Sequence, residues 1–169
     1  RRSSDLHLLE KNVLKVNVRD GRLRWPVDNN LHKILLDQTL HAVSRRAKYI
    51  LLHFNEGILA IHLGMSGSLR VLESTCAHKK HDHVDIIFTD NKLLRFHDPR
   101  RFGSVVWVKG ELNKHKLFEK LGPEPLSQEF DKEYLFKKSR KRKVSVKQLI
   151  MDAQVVVGVG NIYANEALF

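Results

Sequence analysis

The sequence predicts an α+β protein: an N-terminal antiparallel β-sandwich followed by part of a helical domain. Three observations carry this. Short segments of alternating apolar and polar residues, separated by turn residues, recur from Val13 to Val108, as in sandwiches and barrels. Composition changes near residue 110, after which the segments read as helical. Finally, Val155-Val156-Val157-Gly158-Val159-Gly160 is an apolar turn with two glycines between two helical segments, a helix-turn-helix arrangement.

Ser3 to Glu10 reads as the end of a helix. Val13 to Arg19 alternates, with Leu14, Val16 and Val18 on one face. Asp20-Gly21 is a two-residue hairpin signal, after which Arg22 to Trp25 is expected to return as a strand that Pro26 stops. Residues 31–43 are ambiguous between a helical turn at His32 to Leu36 and extended chain from Thr39 to Ser44. Tyr49 to Phe54 and Ile58 to Leu63 form a hairpin about Asn55-Glu56-Gly57. Leu69 to Leu72 is a short strand. Val84, Ile86 and Phe88 alternate with His83, Asp85 and Ile87. Thr89-Asp90-Asn91 then turns the chain, since Asp and Asn tolerate left-handed backbone, into a strand from Lys92 to Phe96. Val105 to Val108 ends the β-rich part, which spans residues 1–121.

Lys114 to Leu121 reads as helical. Residues 122–127, with Gly122-Pro123-Glu124-Pro125, are a rigid linker. Residues 128–169 form the helical part: Ser127 to Lys138 is a helix, Ser139-Arg140-Lys141-Arg142-Lys143 a basic cluster, and Val144 to Ala153 a second helix. Asn161 is placed to cap a last helix from Ile162 to Phe169.

The 169 residues include thirty Lys and Arg against nineteen Asp and Glu, a net charge of +11. Such an excess favours a polyanionic partner, nucleic acid first, although ribosomal and membrane-surface proteins share it. One cysteine, Cys76, excludes an internal disulfide and fits a reducing compartment. No apolar run approaches the ~20 residues that span a bilayer, and no signal-peptide pattern appears at the start. The chain opens at Arg1-Arg2 without Met and stops at Leu168-Phe169 inside a helical pattern, so both ends are expected to be cut.

Five clusters could carry chemistry. Arg45-Arg46-Ala47-Lys48-Tyr49 gives a basic edge before a strand, suited to phosphates or simply solvated. In His62-Leu63-Gly64-Met65-Ser66-Gly67-Ser68-Leu69-Arg70, glycines and serines put a soft, unbranched Met on a loop tip, where it could fill a space vacated by a base; a core methionine is the plainer alternative. His97-Asp98-Pro99-Arg100-Arg101-Phe102-Gly103 presents two guanidiniums and a ring. Arg can fork onto phosphate and a ring can wedge beside a base, while a basic hairpin with a buried Phe is the competing reading. Gly158-Val159-Gly160-Asn161-Ile162-Tyr163 sets backbone amides at a helix N-terminus, which favours an anion. Cys76-Ala77-His78-Lys79-Lys80-His81-Asp82-His83 holds zinc-type ligands, but the intervening lysines and the lack of a second ligand pair favour a phosphate-facing loop.

Taken together, HLGMSGSLR, KHDHVD, DPRRFG, LGPEPL and VVGVGNIYANE, in this order, resemble bacterial formamidopyrimidine-DNA glycosylase, in the family that includes endonuclease VIII. The resemblance covers nearly the whole chain. It implies a β-sandwich, a hinge and a helix-two-turns-helix domain with a C-terminal zinc finger, and DNA held in a basic cleft. It also implies an activity: removal of oxidised purines, chiefly 8-oxoguanine and formamidopyrimidines, then cleavage of the abasic strand by β,δ-elimination through a Schiff base. By motif, Lys48 matches the lysine near the lesion's phosphate and sugar. His62, His81, Lys147, Asn161 and Tyr163 match phosphate or backbone contacts. Met65, Arg100 and Phe102 match a void-filling triad: Met65 enters the gap, Arg100 faces the orphaned cytosine and Phe102 wedges the adjacent step. Flipping a nucleotide costs a few kcal/mol, which such inserted side chains partly offset.

The resemblance also marks departures. The family begins Pro-Glu-Leu-Pro-Glu, with the proline amine as nucleophile and the glutamate as acid, and the present sequence starts about nine residues further on. The fragment itself is therefore expected to lack the reaction centre, with Lys48 in a supporting role. The four-cysteine zinc finger is missing, so no cofactor is expected in this fragment. The expected partner is double-stranded DNA containing oxidised purines or abasic sites, with no membrane, and the expected setting is a monomer in the bacterial cytoplasm, associated with the nucleoid. The alternative is a non-catalytic basic nucleic-acid-binding module; a ribosomal-type RNA binder is a third reading, against which the Met65/Arg100/Phe102 set argues.

Overall fold

The computed structural model describes residues 8–169. It contains two compact units. The first comprises the residues up to Arg45 together with Tyr49–Glu111; the second comprises Arg46–Lys48 and Leu112–Phe169.

The first unit is an antiparallel β-sandwich. Its described residues form the strands β1 (Val13–Val18), β2 (Ala42–Arg46), β3 (Tyr49–Phe54), β4 (Gly57–His62), β5 (Ser68–Glu73), β6 (Asp82–Phe88), β7 (Lys92–His97) and β8 (Ser104–Lys109). One sheet has the order β1-β6-β7-β5 and the other β2-β3-β4-β8. Inward residues of both sheets, among them Val16, Ile86, Leu94 and Phe96 from the first and Leu52, Leu59, Ile61 and Val105 from the second, share one buried core. Alternation along each strand delivers these side chains to one face. A short helix, α1 (Leu31–Leu35), adds Leu31 and Leu35 to that core.

The hairpins β3-β4 and β6-β7 turn where Asn55-Glu56 and Thr89-Asp90-Asn91 predict. Asn91 takes the left-handed backbone (φ 61°) expected of such a turn. Several expectations fail for local reasons. Asp20-Gly21 makes no hairpin: the Asp20 carboxylate accepts both the Arg22 backbone N–H (3.1 Å) and its guanidinium (2.9 and 3.0 Å). Residues 23–25 therefore form bends, with no strand over 22–25, and β1 pairs with β6. The face predicted from Leu14, Val16 and Val18 is also broken. The register against β6 shifts between Val13 and Lys15, and such a bulge re-aims side chains; Val13 and Val16 are buried while Leu14 is exposed. The expected helix over Ser3 to Glu10 falls mostly outside the described residues; Leu8 to Glu10 form a turn.

In the second unit the segment 114–121 is not an α-helix. His115, Phe118 and Leu121 each donate to the carbonyl three residues back, so the chain winds in tight turns anchored by buried Phe118. The helices are shorter than the pattern suggests: α2 (Lys132–Ser139), α3 (Val146–Met151) and α4 (Asn161–Leu168). Asp131 caps α2 by accepting the Tyr134 N–H, and Ser145 with Gln148 forms a capping box at α3. Asn161 is not the cap of α4. Gly160 holds that position in extended backbone, and Asn161 is the first helical residue. Residues 122–124 are packed against the turn before α4: Gly122 N–H donates to Ala153 O, and Val157 N–H to Pro123 O.

Candidate nucleic-acid interface

In the first unit, two loops cross between the sheets at the same end. One joins β4 to β5 and carries Met65; the other joins β7 to β8 and carries Arg100 and Phe102. Pairing of His62 with Ser104 and of Ser68 with His97 forces these crossovers side by side. The crossovers touch through backbone. Gly64 lies at φ 63°, and a Cβ there would come within 2.6 Å of the Phe102 carbonyl carbon. A Cβ on Gly103 would lie 2.6 Å from His62 O, so both motif glycines allow close approach of main chains.

These packed bases project exposed tips. Met65 is 74% exposed and Phe102 46% exposed, neither in the core. The Arg100 guanidinium lies 4.7 Å from the centre of the Phe102 ring, a cation–π contact that holds charge and ring together. Exposing a large apolar side chain is unfavourable, and two adjoining loops that each do it have the form of a wedge.

Histidines surround the same end. His62 Nδ1 accepts the Gly64 N–H (2.9 Å), and its ring packs on Tyr49 with centroids 5.0 Å apart. His81 takes left-handed backbone (φ 73°), and its carbonyl accepts the Asp98 N–H. Its ring is about 6 Å from those of His83 and His97. Loss of solvation, then the charges of Lys80, His83, His97 and Arg101, hold the His81 imidazole below its usual range.

Beneath this surface is an ionic network the alternation pattern did not reveal. β6 is buried on both faces, including Asp82, His83 and Asp85. Arg95 forks onto Asp85 with two bonds of 2.8 Å and donates to the carbonyls of Cys76 and Ala77. Arg19 adds a 2.6 Å bond to Asp85. Burial works to raise the Asp85 carboxyl, but these two guanidiniums outweigh it and the net shift is downward. Asp82 is likewise lowered: burial opposes, while the Lys79 amide, His97 and Arg95 prevail. Sequence alone signalled this only as charged residues inside apolar strands, a pattern equally expected of a solvated face.

In the second unit, the Arg46–Lys48 turn is fixed by the GPEP segment. Glu124 Oε1 accepts the Ala47 N–H (2.7 Å) and the Arg46 guanidinium (3.0 Å), and Arg46 also donates to Gly122 O (2.7 Å). Ala47 sits at φ 54°. Lys48 Nζ donates to Val159 O at 3.1 Å, and a Cβ on Gly160 would stand 3.1 Å from that nitrogen. Gly160 thus leaves room for Lys48 beside the start of α4. The first-turn amides of α4 have no acceptor within the helix, and exposed Asn161 and Tyr163 flank them. Lys147 is half-buried on α3.

The nine residues singled out from sequence divide accordingly. His62, Met65, His81, Arg100 and Phe102 gather on the crossovers and β6 entry of the first unit; Lys48, Lys147, Asn161 and Tyr163 belong to the second. Among the described residues no group of three or more His, Cys, Asp or Glu could hold a metal ion. With a single cysteine the chain does not fit a four-cysteine zinc site. The Cys76-Ala77 segment instead supplies carbonyls to Arg95. No described helix is long and apolar enough to cross a membrane.

The first unit is thus a two-sheet sandwich whose crossovers are pinned by glycines, and the helical unit that follows it in sequence carries an amide-rich turn. Residues 1–105 match the formamidopyrimidine-DNA glycosylase N-terminal domain and residues 121–169 its H2TH domain, and the chain belongs to that family. It is 52% identical over all 169 residues to the formamidopyrimidine-DNA glycosylases of Thioalkalivibrio sulfidiphilus and of Escherichia coli O6:H1, and spans 62% of the length of each. Among solved structures, the Lactococcus lactis formamidopyrimidine-DNA glycosylase bound to DNA containing an abasic site is 28% identical. It superposes with a TM-score of 0.90 over 99% of this chain and 65% of that one. The same enzyme bound to DNA containing a formamidopyrimidine-deoxyguanosine lesion matches with the same score and identity.

Proposed function

We propose that this chain is part of a base-excision repair DNA glycosylase and abasic-site lyase that removes oxidised purines, 8-oxoguanine and formamidopyrimidine, from duplex DNA. The observation that carries the reading is the pair of crossovers that expose Met65 and Phe102 while their backbones are locked together. Met65 fills the space left by the extruded nucleotide, Phe102 wedges the neighbouring step, and Arg100, steadied on Phe102, donates to the acceptors of the orphaned cytosine. His62 and His81 contact the backbone from the first unit. Lys48, Lys147, Asn161, Tyr163 and the α4 amides do so from the second. We place this work in the bacterial cytoplasm, at the nucleoid, and assign it to a monomer.

Lys48 supports the chemistry through its charge. Its Nζ donates to the Val159 carbonyl, which orients the amine toward the start of α4, whereas a Schiff-base nucleophile must turn its lone pair to the sugar carbon. The 169-residue chain should therefore give no borohydride-trappable adduct with 8-oxoguanine DNA. A robust adduct would make an internal lysine the nucleophile. Binding is tested by equilibrium titration of an 8-oxoguanine:cytosine duplex against its undamaged twin. Tighter binding to the damaged duplex supports the reading, and equal binding to both leaves only a basic nucleic-acid-binding module.

A further inference from the structure

The buried carboxylate of Asp98 has no part in the contacts assigned above, yet it touches both crossovers. It is 0% exposed. Oδ1 accepts the Ser66 hydroxyl (2.6 Å) and the Arg100 N–H (3.3 Å), and Oδ2 accepts the Gly103 N–H (2.8 Å). Its backbone is held as well: Asp98 N–H donates to His81 O (3.1 Å), and Asp98 O pairs with buried His83 Nε2 (2.8 Å). Ser66 follows Met65 directly, and Arg100 to Gly103 encloses Phe102. The Ser66 oxygen also accepts the Arg100 N–H at 3.3 Å.

We infer that Asp98 is the positioning residue of the wedge, a buried carboxylate that sets the Met65 loop and the Arg100–Phe102 loop in one fixed relation. The inference rests on the wedge reading for its consequence in DNA, but the clamp itself is a property of the free protein. The physical case is specific. Two short loops carrying exposed apolar tips have little packing of their own to hold them. A carboxylate can accept several bonds at once, which no neutral side chain of that size does, and bonds to a charged acceptor are the stronger ones. Gly64 and Gly103 let the two main chains approach, and the Ser66 hydroxyl, donating to Asp98 and accepting from Arg100, is the side-chain link that couples one loop to the other. An insertion device needs such coupling, because a wedge that must be ordered on binding loses affinity to the ordering.

The test uses Asp98→Asn, which preserves shape but replaces one acceptor by a donor, and Ser66→Ala, which removes only the link between loops. Hydrogen exchange in free protein should quicken roughly tenfold or more in peptides 63–67 and 99–103 of Asp98→Asn, the effect of losing about one charged hydrogen bond. Unchanged exchange at 63–67 would overturn the clamp. In DNA, Asp98→Asn should lose most of the preference for the damaged duplex while binding undamaged duplex as tightly as the parent, a split that general loss of structure would not produce. Met65→Ala and Phe102→Ala separate the two readings. If they abolish the preference and a well-folded Asp98→Asn keeps it, the positioning role is refuted and the wedge stands. If all three keep it, the wedge fails and the positioning role with it. Should Asp98→Asn fold poorly, Ser66→Ala decides: a partial loss of preference at unchanged melting temperature supports the clamp, and full retention overturns it.

Discussion

Replacing Arg95 by Met should unfold the sandwich at much lower denaturant while leaving its surface charge pattern nearly intact. The Arg95 side chain is 3% exposed and makes two 2.8 Å bonds to Asp85, whose own side chain is 2% exposed. It also lies 3.3 Å from Asp82 and holds the Cys76 and Ala77 carbonyls. Removing one partner of a buried pair costs about 3–5 kcal/mol, because the other charge stays buried. Arg19 still reaches Asp85 from a partly exposed position, so the lower end, about 3 kcal/mol, is expected. Urea unfolding followed by fluorescence reads this directly, since both tryptophans, Trp25 and Trp107, lie in the first unit. The double variant Arg95→Met/Asp85→Leu should recover most of the loss, as apolar replacement of a whole buried pair is often neutral. The pH dependence follows from sign. Asp82 and Asp85 are lowered in the fold, so their contribution is present above the ordinary carboxylate range and is lost as pH falls through the lowered values. Arg95→Met should flatten that acid limb. A single variant within about 1 kcal/mol of the parent, or a double variant no better than the single, would show that the Arg95–Asp85 pair does not hold the sandwich together.

Three further outcomes are expected. Gly160→Ala should change stability by less than about 1 kcal/mol, since its backbone is ordinary extended chain, yet weaken duplex binding severalfold by displacing Lys48; calorimetry and titration on one sample check both. His81 is held below its usual range, so it is neutral at physiological pH and charges only on acidification. His81→Gln should therefore weaken duplex binding more below the imidazole range than above it, and a pH-independent deficit would contradict this. Lys147→Ala should lower the slope of log affinity against log salt by about 1 and weaken damaged and undamaged duplexes alike, as expected of a phosphate contact.

Much of the sandwich was legible because its hairpins are local: Asn55-Glu56 and Asp90-Asn91 turn the chain where strands of matching alternation flank them. The β1–β6 pairing was not, since it joins segments about seventy residues apart and Asp20 spends its carboxylate on Arg22 instead of a hairpin. The bulge at Val13–Lys15 and the burial of Asp82, Asp85 and Arg95 depend on partners distant in sequence, and no periodicity records them. At the interface, the exposure of Met65 followed from its flanking glycines, whereas the reason for those glycines, the backbone of the neighbouring crossover, needed the fold. Asp98 read as one more charge in a basic loop; only its burial and its bonds to both crossovers mark it out.

The claim that Met65 and Phe102 open the duplex is tested most directly by 2-aminopurine placed beside an 8-oxoguanine in a duplex. Unstacking of that base raises its fluorescence. A rise is expected on binding that disappears in Met65→Ala/Phe102→Ala, while affinity for undamaged duplex stays within about twofold; the lost stacking of Phe102 on a base, about 1–3 kcal/mol, is felt only where the duplex is opened. A full fluorescence rise in the double variant would contradict the wedge and leave the crossovers as a basic surface that binds DNA without opening it.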